Sequence, residues 1–207
     1  MIDNTEHRIV EKATSLYTQY GIRTISMDDI ARDLAISKKT IYKYFKDKKE
    51  LVHSVTNGLI SRAQNMCQSK IDASTSAVDE LFKIIEFINI FFQNLNPSLV
   101  YDLEKYYPES FKVFQKHQNE FVLDRIQENL RRGIDERTYL PNLNIAIVAR
   151  LRLGQIRLAF SPSLFPPDKF ELKKVQLTSM ELYMMGITTE KGRKAIEKYN
   201  KEHEVSA

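Results

Sequence analysis

The stretch Ser26 to Leu51, SMDDIARDLAISKKTIYKYFKDKKEL, constrains the fold more than any other part of the chain. Ile30, Ala31 and Leu34 recur at helical spacing, and Ile41 and Phe45 do so again. Only Ala35, Ile36 and Ser37 separate the two runs, so two short helices must cross at a tight corner with Ile36 turned inward. Ser26 is the N-cap of the first, Asp29 completes a capping box three residues on, and Ser37 caps the second. The preceding segment, Glu6 to Tyr20, carries Ile9, Val10, Ala13, Leu16, Tyr17 and Tyr20 on one stripe and supplies the brace. Gly21 follows it where a left-handed cap is needed.

The second short helix has two unlike faces. Ile41 and Phe45 go to the core, leaving Lys38, Lys39, Thr40, Tyr42, Lys43 and Tyr44 for the outside or its border. Such a row suits a helix in a DNA major groove: Lys meets phosphates or guanine O6 and N7, Thr a thymine methyl, Tyr a phosphate oxygen. The bland alternative is a solvated helix whose tyrosines pack on the brace. Charge distribution bears on the choice. Residues 37–50 hold six lysines against Asp47 and Glu50, a net of +4 that equals the formal charge of all 207 residues. The first helix instead opens on Asp28 and Asp29, which its dipole favours and phosphate does not, so it supports and does not read. Asp47 starts a further helix with Glu50 at its third position. Lys48 and Lys49 sit in that first turn, where a neighbouring phosphate would explain a cation.

With only 6 Gly and 6 Pro, helices can run long, and an all-α fold is expected. One cysteine, Cys67, excludes an internal disulfide and fits a reducing cytoplasm. The four histidines lack metal-ligand spacing, so no metal or cofactor is expected. The charged start MIDNTEHRIVEK is no signal peptide, and the apolar run near Ile84 to Phe92 is too short to span a bilayer. No nucleophile–base pair or phosphate loop supports an enzyme.

The first fifty residues resemble the DNA-binding domain of TetR-family transcriptional regulators. The matching residues are Tyr20-Gly21, then Thr24-Ile25-Ser26-Met27-Asp28-Asp29-Ile30-Ala31, then Ser37-Lys38-Lys39-Thr40-Ile41-Tyr42-Lys43-Tyr44-Phe45-Lys46-Asp47-Lys48. Two departures stand out. The family often has Gly at the position of Ala35, where a left-handed non-Gly residue costs about 1 kcal/mol. It often has a small residue at the position of Lys39, which adds an ionic contact. The resemblance implies that Ser26, Ser37, Lys38, Lys39, Thr40, Tyr42, Lys43, Tyr44 and Lys48 meet DNA. It divides the chain into a three-helix helix-turn-helix domain over residues 1–50 and a larger helical bundle over 51–207 for ligand and dimer contacts.

The rest of the chain reads as that bundle. Leu51 to about Ile71 is one long connecting helix, followed by a polar loop over residues 69–76. Residues 77–121 are rich in aromatics, which either fill a core or line an apolar pocket. The pocket candidates are Phe87, Phe91, Tyr101, Tyr106 and Phe114. A helix from Pro108 to Arg132 is capped by Gly133. Asn144 to Phe160 is apolar around most of its circumference and needs cover on two sides. With the helix Asp168 to Gly186, it forms the expected two-fold dimer interface through Val148, Leu151, Gly154, Leu158, Leu172, Val175 and Tyr183. Arg150, Arg152 and Arg157 read as interface or surface pairs, the other option being that one holds an acidic ligand. The function expected is a homodimeric repressor of double-stranded operator DNA, released by an apolar or aromatic small molecule. A ligand-independent architectural DNA binder is the alternative.

Overall fold

The computed structural model describes residues 5–202, so the first four residues of the charged N-terminal stretch and His203 lie outside it. The described residues form an all-α fold. The chain runs α1 (Thr5–Tyr20), α2 (Met27–Asp33), α3 (Lys38–Tyr44), α4 (Lys48–Asp72), α5 (Ala77–Phe91), α6 (Ser98–Tyr106), α7 (Pro108–His117), α8 (Leu123–Asp135), α9 (Ile145–Leu158), α10 (Leu172–Ile187) and α11 (Glu190–Glu202). A π-helical turn over Gln118–Val122 joins α7 to α8.

Local chemistry sets the ends of the first helices. Gly21 leaves α1 at φ 84°, a left-handed conformation that favours glycine, with the Ser98 hydroxyl close by. Ser26 and Asp29 form the reciprocal capping box, and the Asp29 carboxylate also accepts from the Ser26 hydroxyl at 2.6 Å. Ala35 adopts φ 53°, and the Ile36 N–H reaches back to the Ala31 carbonyl at 3.0 Å, closing α2 without a glycine. At Asp47 the cap is present, but the Glu50 carboxylate accepts from the Lys46 N–H at 2.7 Å, one residue earlier than in a regular capping box.

Two cores result. In the first, Ile9, Ala13 and Tyr17 of α1 pack on Ile30, Ile41 and Phe45, with Leu51, Val52 and Val55 of α4 below them. Leu99 and Leu103 of α6 complete this core, so it closes only with a helix from far along the chain. The second core gathers α5, α8, α9 and α10 around Leu81, Leu130, Tyr139, Ala149 and Met180.

Several expected boundaries move. α4 continues to Asp72, which leaves only Ala73–Ser76 as the polar loop. α10 begins at Leu172, after the Pro-rich corner, and not at Asp168. Gly133 is not a helix cap but lies inside α8, buried under Tyr139; the left-handed residue after this helix is Arg137, at φ 59°. Gly133 is needed for room. A Cβ there would run into the Tyr139 ring, and the ring cannot retreat. It is fully buried, with its hydroxyl 2.9 Å from both the Ala77 carbonyl and Asn129 Oδ1. Gly133→Ala is therefore expected to destabilise by about 2–3 kcal/mol in urea denaturation, overpacking outweighing the ~1 kcal/mol that Ala gains in a helix.

Candidate DNA interface and effector cavity

The exposed side of α3 carries Lys38, Lys39, Tyr42 and Lys43, with Thr40 and Tyr44 half-buried at its border. Ile41 on the opposite side is fully buried, which fixes the rotation of the helix. At its start Ser37 Oγ accepts from the Thr40 N–H at 3.0 Å and lies 2.8 Å from the Thr40 hydroxyl. Lys38 donates to Asp28 on α2 at 2.9 Å, a bond that raises its pKa and draws the ammonium toward the acidic helix. Lys43 sits over the Tyr44 ring, 5.6 Å from its centroid. Hydrogen bonds from Ser26, and then Arg32, hold the Asp29 carboxyl at about 2, so it stays charged beside this face. Ser26 itself is exposed at the head of α2.

Lys48 is different in kind. Its ammonium donates to the Ile22 carbonyl at 2.5 Å and lies 5.8 Å from the Tyr17 ring centroid. Half-buried, it has its pKa lowered by desolvation. In this conformation the side chain ties α4 to the α1–α2 turn; it does not project with the α3 lysines.

That turn is also docked on α6. The Asn96 N–H donates to the Thr18 carbonyl at 2.7 Å, and its side chain to the Gln19 carbonyl at 3.3 Å. Asp102 accepts the Arg23 backbone N–H at 3.3 Å. On its other side α6 bounds a cavity of about 200 Å³ enclosed by α4, α5, α6, α7, α8, α9 and α10. The wall is largely apolar, with Phe87, Phe91, Phe114 and Phe121 among its rings, and Leu99 and Leu103 belong to it as well as to the first core. Cys67 is also there, its thiol pushed up to about 12 by burial and so unreactive at neutral pH. Charged groups enter the wall at three points: Glu80, Arg125 and Arg152.

Residues 9–55 match the profile of the family described as bacterial regulatory proteins, tetR family. That segment is a TetR-type DNA-binding domain. The chain is 24% identical to the HTH-type transcriptional regulator AcrR of Shigella flexneri, over 82% of this chain and 83% of that one. Solved structures of transcriptional regulators share its fold. A putative transcriptional regulator from Saccharomonospora viridis, crystallised with choline, superposes with a TM-score of 0.73 at 15% identity, covering 90% of this chain and 98% of that one. The ketosteroid transcriptional regulator KstR2 of Mycobacterium tuberculosis gives 0.64 at 17%, covering 92% and 98%. The shared fold thus extends through the bundle, beyond the segment that matches the family profile.

Not every residue expected at a site in this chain lies where its spacing pointed. Phe87, Phe91 and Phe114 line the cavity, but Tyr101 and Tyr106 do not. Leu99 and Leu103 take the inner face of α6, which turns Tyr101 to solvent and sets Tyr106 under the Arg23 guanidinium at 4.7 Å. Of the expected dimer residues, Leu151 and Leu158 are exposed, whereas Leu172 and Tyr183 are buried in the chain's own interior. Val148 and Val175 pack partly against it. Gly154 meets open space, with nothing within 4 Å of a Cβ there. The exposed stripe on α9 and α10 also includes Ile147, Leu182 and Met185, which periodicity alone did not single out. Arg152 is the other surprise. It is 3% exposed, not on the surface, and the signal was available: it shares a helical face with Ala149 and Ile156, both turned inward.

Proposed function

We propose that this TetR-family regulator is a homodimeric repressor that leaves its operator when a small molecule fills the cavity. The observation that carries this is the double use of α6. Leu99 and Leu103 close the core under the recognition helices and, on the same helix, wall the cavity. A ligand that displaces α6 by a fraction of an ångström must disturb the first core or shift α1 and α4 with it, because packed interiors deform little. The choline bound by the Saccharomonospora viridis regulator of the same fold supports an organic effector as a class.

Residues 1–50 are the DNA-binding domain in this reading, and residues 51–207 the effector and dimer domain, with α6 as the joint. Lys38, Lys39 and Lys43 meet base edges or phosphates, Tyr42 a phosphate, and Ser26, Ser37, Thr40 and Tyr44 border the contact. Lys48 acts on the phosphate beside α4 or, through Ile22, on the pose of α2. The exposed stripe Ile147, Leu151, Leu158, Leu182 and Met185 is covered by a second copy, with Gly154 and Gly186 allowing close approach. The two α3 helices then enter successive major grooves, about 34–36 Å apart.

Gel retardation of the protein's own upstream DNA, with sedimentation to fix the dimer, tests the whole reading. Absence of any low-salt complex, or a monomer at micromolar concentration, would sink it. A finer check concerns Asp28. Asp28→Asn removes an anion from the DNA face and releases Lys38 from its ion pair. Affinity is expected to rise by about 5-fold per lysine freed, with a salt slope steeper by roughly one for each. A loss of affinity would mean instead that Asp28 holds Lys38 in its reading position.

A further inference from the structure

The three charged groups in the cavity wall are not alike. Glu80 pairs with Arg132 at 3.5 Å, and Arg125 pairs with Glu128 at 2.8 Å. Arg152 has no carboxylate partner among the described residues. Its two hydrogen bonds both leave Nη1 and go to neutral acceptors, Ser179 Oγ at 2.8 Å and Gln155 Oε1 at 3.5 Å. A guanidinium has five N–H donors, so most of this one's capacity is unused. Burial lowers its pKa to about 10, which leaves it charged at neutral pH. Beside it, 5.3 Å from ring centroid to guanidinium carbon, lies Tyr183. Tyr183 lines the same cavity, and its buried hydroxyl has no hydrogen-bond partner. An uncompensated buried cation and an unsatisfied hydroxyl, adjacent in an otherwise apolar wall, each lack what an acidic group would supply.

We propose that the cavity takes an amphipathic carboxylate, its apolar body among the phenylalanines and its acid on Arg152 and Tyr183. One planar guanidinium matches one carboxylate in charge and in fork geometry, whereas a doubly charged phosphate ester would leave a charge unpaired. At the ~30 Å³ that a water occupies in liquid, the volume suits a ligand of somewhat under ten non-hydrogen atoms, with the more open side of the wall admitting a few more. This rests on the effector reading of the cavity given above and names the chemical class of that effector.

The test uses the full chain and three probes of equal chain length: octanoate, 1-octanol and octylammonium, titrated calorimetrically. Octanoate is expected to bind at least ~10-fold more tightly than the other two, the usual worth of a hydrogen-bonded charge. Arg152→Met should reduce octanoate to the level of octanol while leaving octanol within about 2-fold. The same variant should melt no lower than the parent without ligand, because it replaces an unpaired buried charge with an apolar side chain; a purely structural arginine would give a large loss. Tyr183→Phe, which keeps the buried ring, should lower octanoate affinity by roughly 3–10-fold and leave octanol unchanged. Octanol binding as tightly as octanoate, a preference for octylammonium, no octanoate binding up to millimolar concentration, or equal loss of both ligands in Arg152→Met would each overturn the proposal. Retardation of the operator complex separates the two readings. Octanoate bound with the stated preference but without effect on DNA would uphold the site and overturn its role as effector site.

Discussion

Replacing Lys39 and Lys43 together by glutamine is expected to lower operator affinity on the order of 10³-fold at physiological salt. The change removes four charges per dimer. Each phosphate contact contributes about 0.9 to the slope of log affinity against log salt, so the slope should fall by roughly 3–4. Folding should be spared. Both side chains are exposed, Gln has nearly the helix propensity of Lys, and within the protein the change gives up little beyond the placement of Lys43 over the Tyr44 ring at 5.6 Å. Fluorescence anisotropy over a salt series, on operator and on scrambled DNA, reads the result. Equal loss on both would make the pair phosphate contacts; loss confined to the operator would assign one of them to a base edge. An unchanged slope would remove α3 from the DNA interface.

Leu103→Ala should cost about 2–5 kcal/mol, because Leu103 is 2% exposed, packed in the first core while it also lines the cavity. The informative comparison is Leu81→Ala, a residue 5% exposed that lines the same cavity but packs only in the second core. Urea midpoints should fall comparably for the two. Their effects on regulation should differ: Leu103→Ala should weaken ligand-free DNA binding and blunt release by ligand, while Leu81→Ala changes ligand affinity alone. Identical regulatory behaviour of the two variants would mean that α6 does not carry the signal.

The helix-turn-helix was legible in the sequence because each of its decisions is local. Ser26, Asp29, Ser37 and Asp47 cap the backbone next to them, and the apolar stripes repeat within one helix turn. Even the left-handed Ala35 was marked, by the glycine that the family often carries there. The cavity was only half legible, for a reason of geometry. Phe91 and Tyr101 are equally aromatic, and what separates them is the rotation of α6, set by Leu99 and Leu103 meeting a core built from the start of the chain. Likewise Leu151 and Leu172 are both leucines of apolar helices. Which of them faces outward depends on how α9 and α10 lie on the rest of the bundle. Lys48 shows the same limit for charge: its position in a helix's first turn pointed to a phosphate, and nothing local announced that its ammonium also reaches the chain's own Ile22 carbonyl.

The place of α6 in the first core also sets the order in which the molecule can be born. Ile9 to Val55 leave the ribosome early, yet the apolar surface they share stays uncovered until Leu99 and Leu103 follow. At the ~5–20 residues per second of synthesis, the nascent recognition helices wait several seconds for their lid. Asn96 and Asp102 arrive on the same helix and its lead-in, so the hydrogen bonds to Thr18, Gln19 and Arg23 form in that one docking event. A chain stalled between Val55 and Leu99 would carry a face able to capture neighbours but not to hold its reading pose. The first core is finished only once the helix that also walls the cavity has been made.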